Sequence, residues 1–171
     1  MHESGFERYL VAANRAIVFT MMAVMTTLVF ANVVARYVFN FSIIWAEEVS
    51  QYLMIWIAYL GAGLALREGR HVALEMLHDR LSAPVCRKLR IAVGGLLLAF
   101  LGAVTVLGFQ FVVFVWPQET PVLNISLGIP SLAIPIGTLL FALHLVLMFR
   151  NYADRRYAPG YVLEDLSGEK V

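Results

Sequence analysis

The sequence predicts an all-α integral membrane protein with four transmembrane helices, a short amphipathic interfacial helix and both termini in the cytoplasm. Of the 171 residues, 60% are hydrophobic and only 15% are charged, and the mean hydropathy is +0.75. Soluble domains average about a quarter charged residues. The apolar residues are also grouped into four long runs, and a helix needs about 20 such residues to cross a bilayer. Composition and grouping together exclude a soluble domain.

The predicted spans cover about residues 16–35, 49–66, 91–116 and 131–149, all within a transmembrane scaffold domain of residues 1–150. A cleaved signal peptide is the alternative interpretation of the first run. That run is longer than a signal-peptide core, and no A-x-A-like cleavage site follows it. Residues 151–171 are predicted to form a short cytoplasmic tail. Pro135 is expected to loosen the start of the fourth span, because its ring displaces the hydrogen bond to Ser131.

Basic residues are distributed very unevenly between the connections. The N-terminal segment carries two, the connection after the second span six and the C-terminal segment four, whereas Arg36 stands alone between the first two spans. If both termini are cytoplasmic, 12 of the 13 Lys and Arg residues lie inside. This arrangement follows the positive-inside rule and predicts the orientation.

Two of the connections have a distinct character. In the second, Val72, Met76, Leu77 and Leu81 fall on one side of a helix, a spacing typical of a short helix lying in the inner headgroup layer. The third connection, residues 116–130, is rich in proline and apolar side chains. We expect it to lie at the outer membrane surface, partly covered.

The spans offer little reactive chemistry. Their polar residues are mainly Thr, Asn and Gln with one histidine, His144, and no acidic residue lies well inside a span. Ionisable groups at depth and repeated broken helices mark the ion and substrate paths of transporters, and the sequence shows neither. The single Cys86 excludes an internal disulfide and a cysteine-based metal site. We therefore predict an accessory subunit that is not an enzyme and needs no cofactor, metal or nucleic acid.

Small residues recur four positions apart in the second span, as in the pairs Ala58/Ala62 and Gly61/Ala65. Such pairs let membrane helices approach closely. They are expected to pack either within the four-helix unit or against a larger partner.

The segment between the first two spans is the most informative, because it sets Arg36 beside aromatic residues and two adjacent carboxylates, Glu47 and Glu48. Two interpretations remain open. In the first, the aromatic residues form an interfacial belt, the carboxylates favour the positive end of the second helix, and Arg36 pairs with one of them. In the second, the cluster also docks a partner. One arginine cannot neutralise two carboxylates, so one is left for solvent, lipid or another chain.

Three stretches resemble the small membrane subunit, the DctQ-like subunit, of tripartite ATP-independent periplasmic (TRAP) transporters. They are Arg36-Tyr37-Val38-Phe39 with Trp45-Ala46-Glu47-Glu48 and Trp56; Gly61 to Val72 with its basic turn Arg67-Glu68-Gly69-Arg70-His71; and Thr120-Pro121-Val122-Leu123 with Ile134-Pro135-Ile136-Gly137. The resemblance extends from Arg8 to Arg150. Glu75, Asn124 and Ser126 depart from the usual pattern.

The resemblance implies a division of labour between three proteins. A large permease subunit (DctM-like) carries the substrate and Na⁺ sites, and the small subunit braces it as a scaffold. A periplasmic substrate-binding protein (DctP-like) delivers an organic acid-type solute from the outer side. The implied location is the cytoplasmic (inner) membrane of a bacterium or archaeon, among membrane lipids.

The candidate site residues fall into three groups. Candidates for a subunit or partner contact are Arg36, Tyr37, Trp45, Glu47, Glu48, Trp56 and Gly61; inner-interface anchors are Arg67, Arg70 and His71; outer-loop docking residues are Trp116, Pro121, Leu123 and Pro130.

Two alternatives come from other classes. One is a haem-bearing membrane anchor of a respiratory enzyme, for which His71 and His144 are the candidate axial ligands. His144 lies six residues before Arg150, about 9 Å deeper than the inner end on helical rise, so the two histidines do not match in depth. The other alternative is a four-helix membrane protein with an activity of its own.

Overall fold

The computed structural model describes residues 5–67 and 83–154. They form the helices α1 (Gly5–Val38), α2 (Ile44–Arg67), α3 (Ala83–Val115), α4 (Gly128–Ser131) and α5 (Ala133–Asp154). The predicted amphipathic helix, Arg70 and His71 lie outside the described residues, as does the chain from residue 155 onward.

The prediction of four helical spans is confirmed. The four long helices are all apolar and long enough to cross a membrane. They extend beyond the predicted spans, because a hydropathy pattern marks only the part that crosses hydrocarbon. Helix α2 begins at Ile44, so that Glu47 and Glu48 lie at its start, and α5 runs to Asp154, into the segment assigned to the tail.

The long helices pack as a series rather than as a closed bundle. The extensive contacts run from α1 to α2, from α2 to α5 and from α5 to α3. Helices α1 and α3 therefore stand at the two ends of the series. Only 6% of the apolar stretch of α1 and 17% of that of α3 is buried within the chain, against 39% for the span that contains α5. The remaining faces must be covered by lipid or by another chain.

Helix α5 is the centre of the core. Leu145 and Met148 pack with Leu66 of α2 and Leu101 of α3 in one buried apolar cluster. The hydroxyls of Thr105 and Thr138 lie 2.9 Å apart and join α3 to α5 by a hydrogen bond.

A glycine makes the closest approach between α2 and α5 possible. A Cβ atom at Gly137 would lie 2.5 Å from Cβ of Tyr59 and 3.0 Å from its backbone carbonyl carbon. The two helix backbones are therefore closer here than any larger residue permits.

The fourth span is interrupted near its start, as Pro135 led us to expect. Helix α4 ends at Ser131 and α5 begins at Ala133, although Leu132 between them keeps right-handed helical angles. The backbone N–H of Ile136 still donates to the carbonyl of Leu132 at 3.1 Å. Pro135 thus lies in the first turn of α5, where a helix has no internal partner for its N–H groups.

The close approach of α2 and α5 generates a stability prediction. Gly137→Ala should lower the free energy of unfolding by about 1–3 kcal/mol, because overpacking forces the Tyr59 backbone away. The same change at Gly95, where nothing lies within 4 Å of a new Cβ, is the matched control and should be neutral or stabilising. Thermal unfolding of both variants in detergent measures the effect. Equal melting temperatures would contradict the close contact.

Candidate functional site

Both connections that the structure describes lie at one end of the molecule, which we call the loop end. The α1–α2 turn (residues 39–43) and the α3–α4 loop (residues 116–127) meet there through the start of α2. Asn40 ends α1 with a φ of +51°, and the N–H of Phe41 donates to the carbonyl of Ala35 at 3.1 Å. A left-handed residue just after a helix is a common way to end it, and the Ala35 carbonyl accepts from both Phe39 and Phe41.

Glu47 is bound by side chains of α1. Arg36 forms an ion pair with it, and each partner is about half exposed. The amide of Asn32 donates to Oε1 of Glu47 at 3.2 Å, while its carbonyl oxygen accepts from the backbone N–H of Ile43 at 2.8 Å. Arg36 also donates to Oγ of Ser42 at 3.2 Å. Asn32 and Arg36 thereby fix both the turn and the position of α2 against α1.

Glu48 is directed to a different neighbour. Its Oε2 accepts the backbone N–H of Val122 at 2.9 Å and that of Leu123 at 3.2 Å. Its Oε1 accepts the hydroxyl of Tyr52 at 2.6 Å. The residue is only 6% exposed. The expectation that the second carboxylate is left for solvent, lipid or another chain was therefore wrong, because the chain's own loop satisfies it.

The α3–α4 loop is a compact structure in its own right. The N–H of Thr120 donates to the carbonyl of Ile125 at 2.8 Å, and the N–H of Leu127 to that of Gln118 at 2.8 Å. Asn124 turns the chain with a φ of +51°. Thr120 is 1% exposed. The loop therefore folds back on itself, and the short stretch between Thr120 and Asn124 forms its tip.

The base of the loop is fixed by Trp116. The hydroxyl of Ser126 donates to the carbonyl of Trp116 at 2.6 Å. The Trp116 indole packs directly over Gly128, where a Cβ atom would clash with it. Half of the Trp116 side chain nevertheless remains exposed.

The predicted contact residues at the loop end differ in exposure. Tyr37 is 79% exposed and Trp45 is 49% exposed. Pro121 is exposed, Leu123 is half-buried and Pro130 is buried. Tyr37, Trp45 and Pro121 therefore present apolar surface at the loop end, whereas Pro130 belongs to the interior.

A cavity of about 250 Å³ lies between α1 and α2 at the loop end. Its polar wall contains Asn32, Arg36, Glu47 and Ser50, and its apolar wall includes Val33. The Arg36–Glu47 pair therefore borders an open recess, so that a partner group could reach it.

The other candidates lie further along α2. Trp56 is half-buried, and nothing lies within 4 Å of a Cβ atom built at Gly61. Arg67 ends α2. The structure thus leaves the surface over Gly61 open for close approach, and it brings neither Gly61 nor Trp56 into the cluster at the loop end.

A second polar cluster lies among the spans. The Asn14 amide donates to the carbonyl of Leu60 at 3.1 Å and lies 3.5 Å from Nε2 of His144. His144 is fully buried. Gly63 makes room for it, since a Cβ atom there would lie 2.7 Å from the His144 ring. The cluster joins α1, α2 and α5.

Sequence reasoning missed several of these functional residues. It counted asparagines only among the polar residues of the spans, and it gave no individual role to Asn32, Asn14, Tyr52 or Thr120. Asparagines in apolar helices are a usable signal, because a buried amide needs a partner. Tyr52 lies four residues after Glu48 on the same helix, a spacing that brings side chains together. Thr120 carries no such signal, since its role depends on where the loop folds. Within residues 5–67 and 83–154, no three His, Cys, Asp or Glu side chains are grouped in a way that could hold a metal ion.

Comparison with known proteins agrees with the resemblance in the sequence. Residues 21–155 match the family described as tripartite ATP-independent periplasmic transporters, DctQ component. A TRAP transporter small permease protein from Haemophilus influenzae is 50% identical over 62 residues, covering 36% of this chain and 38% of the relative.

Two further relatives carry a solute in their names. The C4-dicarboxylate TRAP transporter small permease protein DctQ of Rhodobacter capsulatus is 31% identical over 121 residues, which cover 69% of this chain and 53% of the relative. The isethionate TRAP transporter permease protein DctMQ of Oleidesulfovibrio alaskensis is 26% identical over 105 residues, covering 60% of this chain and 16% of the relative. The chain thus spans about half or less of the length of each of these relatives.

The family match covers most of the chain and includes the whole loop end. The four apolar helices agree with a multi-pass membrane protein. The chain belongs to the DctQ family of TRAP transporter components, and it is a transporter component rather than an enzyme.

Proposed function

We propose that this chain is the small scaffold subunit of a sodium-coupled, binding-protein-dependent TRAP transporter that takes up an organic acid-type solute. It braces a large DctM-like permease subunit and helps to dock a DctP-like periplasmic binding protein. Among the structural observations, the exposure of α1 and α3 carries this proposal, because a bracing subunit needs broad faces that its own fold leaves uncovered.

The charge distribution supports an orientation with both termini in the cytoplasm of a bacterial or archaeal cell. The loop end then faces the periplasm, and Arg36 is its single basic residue. In the sequence, the other 12 basic residues belong to the N-terminal segment, the second connection and the C-terminal segment. Basic residues are retained on the cytoplasmic side of membrane proteins, so this assignment places the binding-protein side at the loop end.

Two amides support a protein partner within the membrane. Gln51 of α2 and Gln110 of α3 are both exposed on membrane-spanning helices. An amide facing hydrocarbon is costly unless it is hydrogen-bonded, and polar side chains of this kind join membrane helices. Helices of the large subunit would supply those hydrogen bonds.

The recess between α1 and α2 is the proposed contact with the large subunit near the periplasmic surface. Arg36 and Glu47 border it and remain half exposed. Tyr37 and Trp45 add exposed aromatic surface beside it. The open surface over Gly61 continues the contact along α2, and the half-buried Trp56 lies on the same helix as a further candidate for this contact.

The α3–α4 loop is the proposed docking surface for the binding protein. Its tip presents Pro121 and Val122, and its base presents Trp116. Tryptophan is enriched at the centres of protein interfaces. Leu123 and Pro130 are more enclosed, so they act by shaping the loop rather than by touching the partner.

The inner end has a different role. Arg67, Arg70 and His71 are proposed to anchor the chain to anionic lipid headgroups or to the large subunit. Basic residues at the cytoplasmic surface are attracted to acidic lipids. The solute itself is not determined by this chain, since the relatives named for C4-dicarboxylate and for isethionate share the same kind of small subunit.

The haem-anchor alternative finds no support in the part of the chain that the structure describes. The ring of His144 is enclosed by α1 and α2, with Asn14 and Gly63 against it. An axial ligand needs open space beside its coordinating nitrogen, and here the space is filled by protein.

Removing and then exchanging the two charges tests whether Arg36 and Glu47 contact the large subunit. A half-exposed ion pair contributes about 0–1 kcal/mol to stability, so Arg36→Ala should leave the fold intact. We expect it nevertheless to reduce recovery of the large subunit on the tagged small subunit about tenfold or more, the effect of losing about 1.4 kcal/mol of contact energy.

The double variant Arg36→Glu with Glu47→Arg is the control. It restores the ion pair within the chain but reverses the charges that a partner meets. If the double variant recovers the large subunit as well as the wild type does, the pair has only an internal role and the proposed contact is wrong.

Co-purification tests the proposed function as a whole. A tagged chain expressed from its operon in mild detergent should elute with a much larger membrane protein, and its melting temperature should rise on assembly, because a partner that binds only the folded chain stabilises it. Proteoliposomes of the complex should take up solute only with a binding protein and a Na⁺ gradient. Elution of the chain alone, with an unchanged melting temperature, would contradict the bracing role.

A further inference from the structure

Glu48 is a charged residue that the loop end buries. It is 6% exposed, and three hydrogen bonds reach it from Val122, Leu123 and Tyr52. Burial of a carboxylate is tolerated only when hydrogen bonds replace the lost water. Both oxygens are bonded within the chain and little of the residue is exposed, so the carboxylate is directed to the chain's own loop.

The tip of the α3–α4 loop depends on this carboxylate. The bonds between Thr120 and Ile125 and between Gln118 and Leu127 close the base of the loop. Two successive N–H groups at the tip, those of Val122 and Leu123, are instead bonded to Glu48. The position of the tip relative to α2 is therefore set by one side chain from outside the loop.

The tip offers a small and well-defined surface. Pro121 and Asn124 are exposed, and Val122 is 37% exposed. A proline and a left-handed asparagine leave the backbone little freedom. A surface of this kind binds tightly only if it is held in the bound shape before the partner arrives.

We propose that Glu48 is a positioning residue whose buried carboxylate holds the tip of the α3–α4 loop in the shape against which the soluble binding protein docks. This inference rests on the proposed function of the chain. Glu48 acts through the backbone of Val122 and Leu123 and does not itself touch the binding protein.

Two conservative variants separate this role from a role of charge. Glu48→Asp keeps the charge but shortens the side chain by one methylene, so the carboxylate no longer reaches the loop. Glu48→Gln keeps the length, but it loses the charge that strengthens the two loop hydrogen bonds, and it leaves one acceptor oxygen where the carboxylate has two. A positioning role predicts that both variants weaken docking, whereas a role of charge alone predicts a loss only in Glu48→Gln.

The experiment uses the assembled transporter in proteoliposomes, titrated with the purified binding protein encoded in the same operon. We expect both variants to raise the binding-protein concentration for half-maximal uptake about tenfold. In Glu48→Asp the two loop N–H groups lose their acceptor, and in Glu48→Gln they keep only a weaker, neutral one. Maximal uptake and recovery of the large subunit should be unchanged. Glu7→Gln, the same charge change at the far end of α1, is the matched control and should behave as the wild type does.

Hydrogen exchange provides a readout that does not depend on transport. In lipid nanodiscs, peptides containing residues 119–127 should exchange faster in both variants than in the wild type. Exchange in the variants as slow as in the wild type would overturn the proposal. Faster exchange with an unchanged binding-protein concentration for half-maximal uptake would also overturn it. If uptake by the wild type does not depend on the binding protein, the proposed function fails instead, and the exchange result still decides whether Glu48 holds the loop.

Discussion

The loop end depends on one constraint, which is that polar groups buried away from water must find hydrogen-bond partners within the protein. Glu47 and Glu48 are adjacent in sequence, and successive residues of a helix point about 100° apart. One carboxylate therefore meets α1 and the other meets the α3–α4 loop. Because both belong to the first turns of α2, a single rigid element fixes the α1–α2 turn and the loop relative to each other.

The same constraint applies among the spans. In a bilayer, apolar side chains do not favour the packing of one helix face over another, since the lipid is equally apolar. Hydrogen bonds do distinguish faces. The amide of Asn14 selects the face of α2 that carries the Leu60 carbonyl, and Thr105 selects the face of α5 that carries Thr138. Glycines such as Gly137 then determine how closely the selected faces approach.

The features that depend on local pattern could be predicted from the sequence. Four apolar runs give four helices, and a lone arginine near two carboxylates gives the Arg36–Glu47 pair. The loop partners of Glu48 could not be predicted, because they are backbone N–H groups 74 and 75 residues away, and backbone groups leave no mark in a sequence. The repeats of small residues did not indicate which glycines make contacts within the chain. Gly61 faces open space and Gly63 faces His144, since helix rotation decides which glycine meets a neighbour.

The distribution of contacts bears on how a subunit could serve as a brace. Each of the extensive contacts between helices includes α2 or α5, and Glu47 and Glu48 of α2 make the hydrogen bonds that fix the loop end. The molecule therefore keeps its shape without using the outer faces of α1 and α3, most of which are exposed. A partner can cover those faces without competing with any bond that holds the fold. The outer faces of α1 and α3 are thus available for interaction, whereas α2 and α5 carry most of the contacts that hold the fold.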